Sequence, residues 1–254
     1  MDFTKFESWV LKEFNLDLSA YKSNQLHRRI LTLMTRTGAS SLDEYMNMIK
    51  KDNQVRDKFL DYVTINVTEF YRNPQIFKEL NNFIRSELNY TRPLKIWSAA
   101  CSIGAEPYSV SMMLNEVTPN VKHKILATDI DDNILSKAKL GEYIKADVKN
   151  VSDSQLNKYF KCENDKFVIN KEVKNLVTFK KHDLILDKYE GGFDIIICRN
   201  VVIYFTNEVK EKIYDKFSKS LNPGGLLFIG ATESIYGYKQ FGFEKLSTFI
   251  YKKN

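Results

Sequence analysis

The chain has 254 residues, 43% of them hydrophobic, enough to bury the core of one large domain or of a domain with a small companion. Its 38 basic and 32 acidic residues leave a net charge of +6, which could suggest nucleic acid, but the acids dilute the bases, no block of five like charges occurs, and an acidic protein partner suits the same charge equally well. No run approaches the roughly 18 apolar residues of a membrane span, and acids at Asp2 and Glu7 do not fit a signal peptide, so a cytoplasmic protein without membrane insertion is expected.

Residues 1 to about 88 place apolar side chains at helical spacing, interrupted by Gly38 and Pro74, and read as an all-helical N-terminal module. In the segment from Lys22 to Arg36, Leu26, Ile30 and Leu33 form one apolar stripe, while Lys22, Arg29 and Arg36 recur at seven-residue spacing along its border. That is a basic ridge beside a buried face, or equally a solvated charged edge.

From Pro93 onward the pattern changes. Short apolar runs, LKIWSAA (94–100), KILATD (124–129), FDIIICRN (193–200) and GLLFIGA (225–231), alternate with amphipathic segments, which predicts a parallel sheet covered on both faces. Between Gly141 and Val177 this order breaks down. There, Tyr159-Phe160 and Phe167-Val168-Ile169 flank the turn-like Cys162-Glu163-Asn164-Asp165, and a small antiparallel hairpin around 151–176 is expected. The final runs GFEKL and TFIYKK predict a closing antiparallel pair at the sheet edge. Cys101, Cys162 and Cys198 are far apart and read as buried reduced thiols, with neither disulfide nor zinc, and His27, His123 and His182 read as surface residues.

Chemistry gathers at the ends of the predicted strands. Ile96-Trp97-Ser98-Ala99-Ala100-Cys101-Ser102-Ile103-Gly104-Ala105-Glu106-Pro107-Tyr108 runs from a strand through small residues into a helix start, leaving room for a nucleotide-like ligand at the backbone. Many tight strand-to-helix turns look the same. Asp129 ends the second strand roughly 25 residues past Gly104, where nucleotide folds place a ribose-binding carboxylate. An acid there also serves as a helix N-cap, and Asp131 or Asp132 is suited to cap a helix reaching Leu140. A dehydrogenase would put phosphate-binding glycines where this chain has Glu106, a carboxylate that repels pyrophosphate and tolerates a cationic, phosphate-free ligand. S-adenosylmethionine is such a ligand.

With these segments in hand the chain resembles the CheR family of chemotaxis receptor glutamate methyltransferases. The matching runs, in family order, are Asn66-Val67-Thr68-Glu69-Phe70-Tyr71-Arg72, Trp97 to Tyr108, Ala127-Thr128-Asp129-Ile130-Asp131, Cys198-Arg199-Asn200-Val201-Val202-Ile203-Tyr204-Phe205 and Leu221-Asn222-Pro223-Gly224-Gly225-Leu226-Leu227-Phe228. The resemblance implies an α/β fold: a class I, Rossmann-like S-adenosylmethionine-dependent methyltransferase domain (73–254) with a small inserted antiparallel β-subdomain, preceded by an all-helical N-terminal domain and linker (1–72).

By position, the resemblance implies that Asn66, Thr68 and Arg72 hold the methionine part of the cofactor, with Arg72 able to pair bidentately with its carboxylate. It puts Glu106 near the methionine amine, Asp129 at the ribose hydroxyls and Asp183-Leu184 beside the adenine, where the family more often has Asn-Leu. Arg199 and Asn200 then lie against the cofactor, and Tyr204 close to the transferred methyl, although pattern alone would also make Tyr204 a core aromatic. A glutamate carboxylate is already ionised at neutral pH and needs no general base to attack a sulfonium methyl. Alignment is then the main catalytic device, a contribution of roughly 7–11 kcal/mol in favourable systems, with Arg72 and Tyr204 as the catalytic candidates and S-adenosylhomocysteine as the product.

The implied partners are the cytoplasmic domains of methyl-accepting chemotaxis receptors, met through the helix carrying Lys22, Arg29 and Arg36. Some family members also bind a receptor's C-terminal peptide on the inserted hairpin by strand addition. The short, glycine-free turn here predicts no dependence on such a tether, and a monomer is expected. Two rival readings are a non-catalytic sensor or scaffold that keeps the cofactor pocket, and a methyltransferase acting on nucleic acid. The second lacks an Asp-Pro-Pro-Tyr-like segment, whose place is taken by CRNVVIYF.

Overall fold

The computed structural model describes residues 2–88 and 92–254, which fall into two compact units. One runs to Asn66 and takes back Tyr204–Lys210; the other comprises Val67–Ile203 and Glu211–Asn254. Among the described residues no helix is long and apolar enough to cross a membrane.

The first unit is helical: α1 (Thr4–Phe14), a 3-10 turn (Leu18–Ala20), α2 (Ser23–Arg36), α3 (Leu42–Lys51) and α4 (Asn53–Thr64). Its boundaries follow from local chemistry. Asp17, Ser41 and Asp52 accept backbone amides at the starts of the turn, α3 and α4, and Glu44 reaches back to the Ser40 amide at 2.8 Å to close a capping box. The core is aromatic: Phe6 stacks on Tyr45 at 6.2 Å and meets Phe59 edge-on at 5.8 Å, all three fully buried. Leu26, Ile30 and Leu33 of α2 are buried as their spacing predicts. The returning segment is tied in by main-chain bonds, the Lys22 amide to the Tyr204 carbonyl (2.9 Å) and the Thr206 amide to the Ala20 carbonyl (3.0 Å), with Phe205 edge-on to Tyr21 at 5.0 Å.

The second unit is α/β. It opens with α5 (Pro74–Glu87), followed by β1 (Lys95–Ala99), α6 (Ala105–Val117), β2 (Lys124–Asp129), α7 (Asp132–Leu140) and the short β3 (Glu142–Tyr143). Then come α8 (Asp153–Tyr159), β4 (Phe160–Glu163), β5 (Lys166–Ile169), α9 (Lys171–Lys174), β6 (Val177–Lys181) and β7 (Phe193–Cys198). The helix α10 (Asn207–Ser220), which this unit holds from Glu211 onward, β8 (Leu221–Ile229), β9 (Phe243–Lys245) and β10 (Ile250–Lys253) complete the chain. The main sheet has the order β6-β2-β1-β7-β8-β10-β9, parallel from β6 to β8, with β10 antiparallel to both its neighbours. β1 leads outward through β2 to β6, whereas β7 leads the other way to β8, so the order reverses between β1 and β7. Ligands of open parallel sheets enter at the carboxyl ends of the strands at such a reversal.

The anticipated hairpin forms, with β4 and β5 joined by Asn164 (φ 49°) and Asp165 (φ 61°), two left-handed residues that make the turn follow the twist of the strands. It is completed by β3 into a three-stranded antiparallel sheet that begins well before the expected 151–176. Three sequence readings need correction, the first being His182, whose side chain is only 10% exposed, with Nε2 enclosed and its ring edge-on to Trp97 at 5.3 Å. His123 is not a surface residue: it is 2% exposed, accepting the Leu94 amide at Nδ1 (3.1 Å) and meeting Thr118 Oγ1 at Nε2 (2.7 Å), because the turn before β2 is folded under the sheet edge. Cys101 and Cys198 are buried, but Cys162, on an outer strand of the small sheet, is exposed.

Candidate functional site

Five parallel strands end on one edge of the sheet, and six of the sequence-derived site positions, Glu106, Asp129, Asp183, Leu184, Arg199 and Asn200, stand there. After β1 the backbone turns through Ala100 (φ 67°), Ser102 (φ 51°) and Gly104 (φ 83°) before α6 begins. Left-handed residues other than glycine are disfavoured, and their concentration in the β1–α6 turn marks it as a place whose geometry is imposed by its surroundings. Glu106, in the first turn of α6, is 9% exposed. Ser98 Oγ donates to its Oε1 at 2.8 Å, and Arg199 Nη1 lies 3.6 Å from its Oε2. Burial pushes its carboxyl upward, opposed by Arg199, Ser98 and Arg72.

Asp129, at the end of β2, is 6% exposed and holds the same turn from the side. It accepts the Ser102 amide at Oδ2 (2.8 Å) and the Asp131 amide at Oδ1 (3.2 Å). Burial outweighs these bonds and raises its pKa to about 6. The helix cap next to it is Asp131, which accepts the Asn133 and Ile134 amides, so Asp129 is not the cap of α7. Asp183 follows β6, two residues beyond Lys181, the ladder partner of Asp129. Its Oδ1 accepts the amides of Ile185 (2.6 Å) and Leu186 (3.3 Å), while Oδ2 is buried without a partner. Leu184 is buried, and its carbonyl accepts from the Tyr189 hydroxyl at 2.7 Å.

Arg199, directly after β7, carries the most contacts. Its side chain is 2% exposed and its guanidinium lies over the rings of Phe77 (5.2 Å) and Phe228 (4.9 Å). One edge faces Glu106; from the other, Nη2 donates to the Arg72 carbonyl at 2.7 Å and to Asn73 Oδ1 at 3.0 Å. The segment bearing Thr68 and Arg72 is thereby attached to the sheet. It is further held by Arg72 Nη1 on the Val67 carbonyl (2.9 Å), the Phe70 amide on the Asp147 carbonyl (2.9 Å) and Asn150 on Glu69 (2.9 Å). Thr68, Arg72, Glu106, Asp129, Asp183, Leu184, Arg199 and Asn200 all belong to this α/β unit.

Asn66 and Tyr204 belong to the helical unit. Asn66 donates to Thr64 Oγ1 at 3.0 Å, and Tyr204 is half-buried beside Lys22 in a cavity of about 350 Å³ also lined by Gln25, Arg28 and Tyr62. The basic ridge of α2 is less uniform than its spacing suggests. Lys22 and Arg36 are exposed, but Arg29 is half-buried, its guanidinium 4.4 Å from the Tyr62 ring and donating to the Tyr62 carbonyl.

Glu233, past the end of β8, stands outside the residues singled out from the sequence. It is 5% exposed, accepts the Gly230 amide, and its carboxyl is pushed upward by burial. The rule that singled out Asp129, an acid just beyond a strand that ends on this edge, would have found it.

The chain is matched over residues 66–250 by the family described as CheR methyltransferase, SAM binding domain, and over residues 1–64 by CheR methyltransferase, all-alpha domain. It is similar to the chemotaxis protein methyltransferase of Listeria monocytogenes, 38% identical over 254 residues that span 99% of this chain and 97% of that one. The Listeria innocua protein of the same name is 37% identical, with the same coverage. That of Borreliella burgdorferi is 34% identical over 260 residues, 96% of this chain and 91% of its own.

The residues present fit S-adenosylmethionine. Ser102 Oγ, Asp183 Oδ2, Arg199 Nε, Asn200 Oδ1 and Glu233 Oε1 are all buried without a partner among the described residues, a set of acceptors and donors at one sheet edge that a polar ligand would satisfy. The acids Glu106 and Asp129 suit a cation with hydroxyls, and Glu106 in the first turn of α6 is unfavourable to a phosphate there.

Proposed function

Because the chain belongs to the CheR methyltransferase family, whose members are S-adenosylmethionine-dependent and act in chemotaxis, we propose that it methylates glutamate side-chain carboxylates of chemoreceptor cytoplasmic domains, forming methyl esters. The observation that carries this reading is the charge design of the strand ends: buried acids Glu106 and Asp129 facing a cationic cofactor, with Arg199 as the buried base that holds Arg72 in place.

In this reading Asp183 Oδ2 accepts from the adenine amine, Asp129 takes the ribose hydroxyls, Glu106 the methionine amine, and Arg72 with Asn66 and Thr68 the methionine carboxylate. When bound, the cofactor supplies a methyl group made electrophilic by a sulfonium. The acceptor glutamate brings its own negative charge, so the protein needs no proton-abstracting group at that point. Tyr204 and Arg72 orient the acceptor, and orientation supplies the rate. Lys22 and Arg36 of α2 attract an acidic receptor segment, an effect that speeds encounter and weakens with salt. The two-residue turn at Asn164-Asp165 leaves little loop beyond β4 and β5 to clasp a peptide, which supports independence from a tether.

The test is transfer of radiolabelled methyl from S-adenosylmethionine to receptor cytoplasmic fragments. Label that is released by mild base and disappears with Arg72→Ala is expected. Base-stable label would place the methyl on another group, and cofactor binding without transfer would favour a sensor or scaffold.

A further inference from the structure

Beyond β8 the chain runs Gly230-Ala231-Thr232-Glu233, and the Glu233 side chain turns back onto the sheet. Its Oε2 accepts the Gly230 amide, and the Asn200 amide beyond β7 faces the same carboxylate. One side chain therefore joins two neighbouring strands past their last ladder pair, Cys198 beside Ile229. The close approach depends on glycine. A Cβ on residue 230 would stand 2.6 Å from Glu233 Oε2 and 3.0 Å from the Asn200 nitrogen.

The amide so held matters because Asn200 is left-handed, at φ 61°. Asparagine tolerates this conformation better than most residues do, and it turns the chain out of β7 directly after Arg199. Glu233 Oε1 and Asn200 Oδ1 are both buried and unpartnered among the described residues. Two buried acceptors without donors are unfavourable in a finished site, and mark a surface completed by donors from outside the chain.

We propose that Glu233 is a positioning residue of the cofactor site: its carboxylate clamps the Gly230 and Asn200 amides and so fixes the end of β7 in the geometry that presents Asn200 to S-adenosylmethionine. The proposal rests on the reading of this sheet edge as the cofactor's site. The clamp needs an acceptor oxygen and not a charge, so glutamine replaces glutamate and alanine does not.

The experiment is calorimetric titration of the full chain with S-adenosylhomocysteine, alongside thermal unfolding of the ligand-free protein. The variants are Glu233→Ala, Glu233→Gln and Ile250→Val, the last buried in the same sheet away from this edge. Well below the melting temperature, Glu233→Ala is expected to bind about tenfold more weakly and Glu233→Gln within about threefold of the original. Ile250→Val should melt earlier with its affinity unchanged. Unchanged affinity in Glu233→Ala, or a loss in Glu233→Gln as large as in alanine, overturns the clamp. If Glu233→Ala does not fold, Gly230→Ala decides: crowding the clamp should weaken binding, and undiminished affinity overturns the proposal. Failure of the unmutated chain to bind would instead remove the cofactor reading itself.

Discussion

Arg199 Nη2 donates to the main-chain carbonyl of Arg72 at 2.7 Å, although the two residues are 127 positions apart. Because the acceptor is a carbonyl, the Arg72 guanidinium stays available for a ligand. A lysine at 199 has a single ammonium and cannot span the carbonyl, Asn73 and Glu106 together. Arg199→Lys should fold and bind S-adenosylhomocysteine about tenfold more weakly, about 1.4 kcal/mol, in calorimetric titration. Affinity equal to the original would mean that the link does not place Arg72.

Binding should also depend on pH below neutrality. The Asp129 carboxyl is raised to about 6 by burial, and Glu106 is raised for the same reason. The ionised forms are the ones that accept ribose hydroxyls and the amine, so affinity should weaken as pH falls below about 6, approaching tenfold per unit in the limit for one group. In the free protein the sign is opposite. A carboxyl raised from 3.8 contributes stability that is present below about 3.8 and lost as pH rises through about 6. Titrations between about pH 5 and 8 should show a shallower slope for Asp129→Asn.

Tyr204→Phe keeps the ring and loses the hydroxyl. Transfer to the receptor fragment should fall by up to about a hundredfold, the cost of poor alignment, with the dissociation constant for S-adenosylhomocysteine unchanged. Equal losses in both would assign Tyr204 to cofactor binding or to packing.

Asp194 tests the opposite end of the strands, at the start of β7. It accepts Arg92 Nη2 (2.7 Å), the Lys95 amide (2.9 Å) and Asn222 Nδ2 (3.1 Å), and these partners hold its pKa below the usual range despite burial. Asp194→Ala leaves a buried amide unpaired and should cost about 2 kcal/mol, read by Trp97 fluorescence in denaturant in a Trp9→Phe background. The stabilisation should be present above about 3.8 and fade as pH falls below it.

What the sequence disclosed depended on how apolar each strand is. FDIIIC and KILATD announce β7 and β2 because a central parallel strand is buried on both faces. VTFKK forms β6 unannounced, because an edge strand of five residues can be largely exposed and ends in two lysines. Glu106 and Asp129 were visible as acids at strand ends, whereas Arg199's grip on the Arg72 carbonyl involves a main-chain atom that no residue pattern encodes. His123 misled because a lone histidine in a polar turn gives no sign that its ring will be enclosed by Leu94 and Thr118.

The return of Tyr204–Lys210 to the helical unit bears on how the molecule is made. Chain emerging from a ribosome delivers α1 to α4 first, yet the amide of Lys22 and the carbonyl of Ala20 wait for Tyr204 and Thr206, synthesised after β7. The first unit to emerge is thus finished only when most of the sheet's strands have appeared. For the same reason the helices are not an interchangeable cassette: a chimera that exchanges residues 1–66 with those of a relative must carry residues 204–210 along with them.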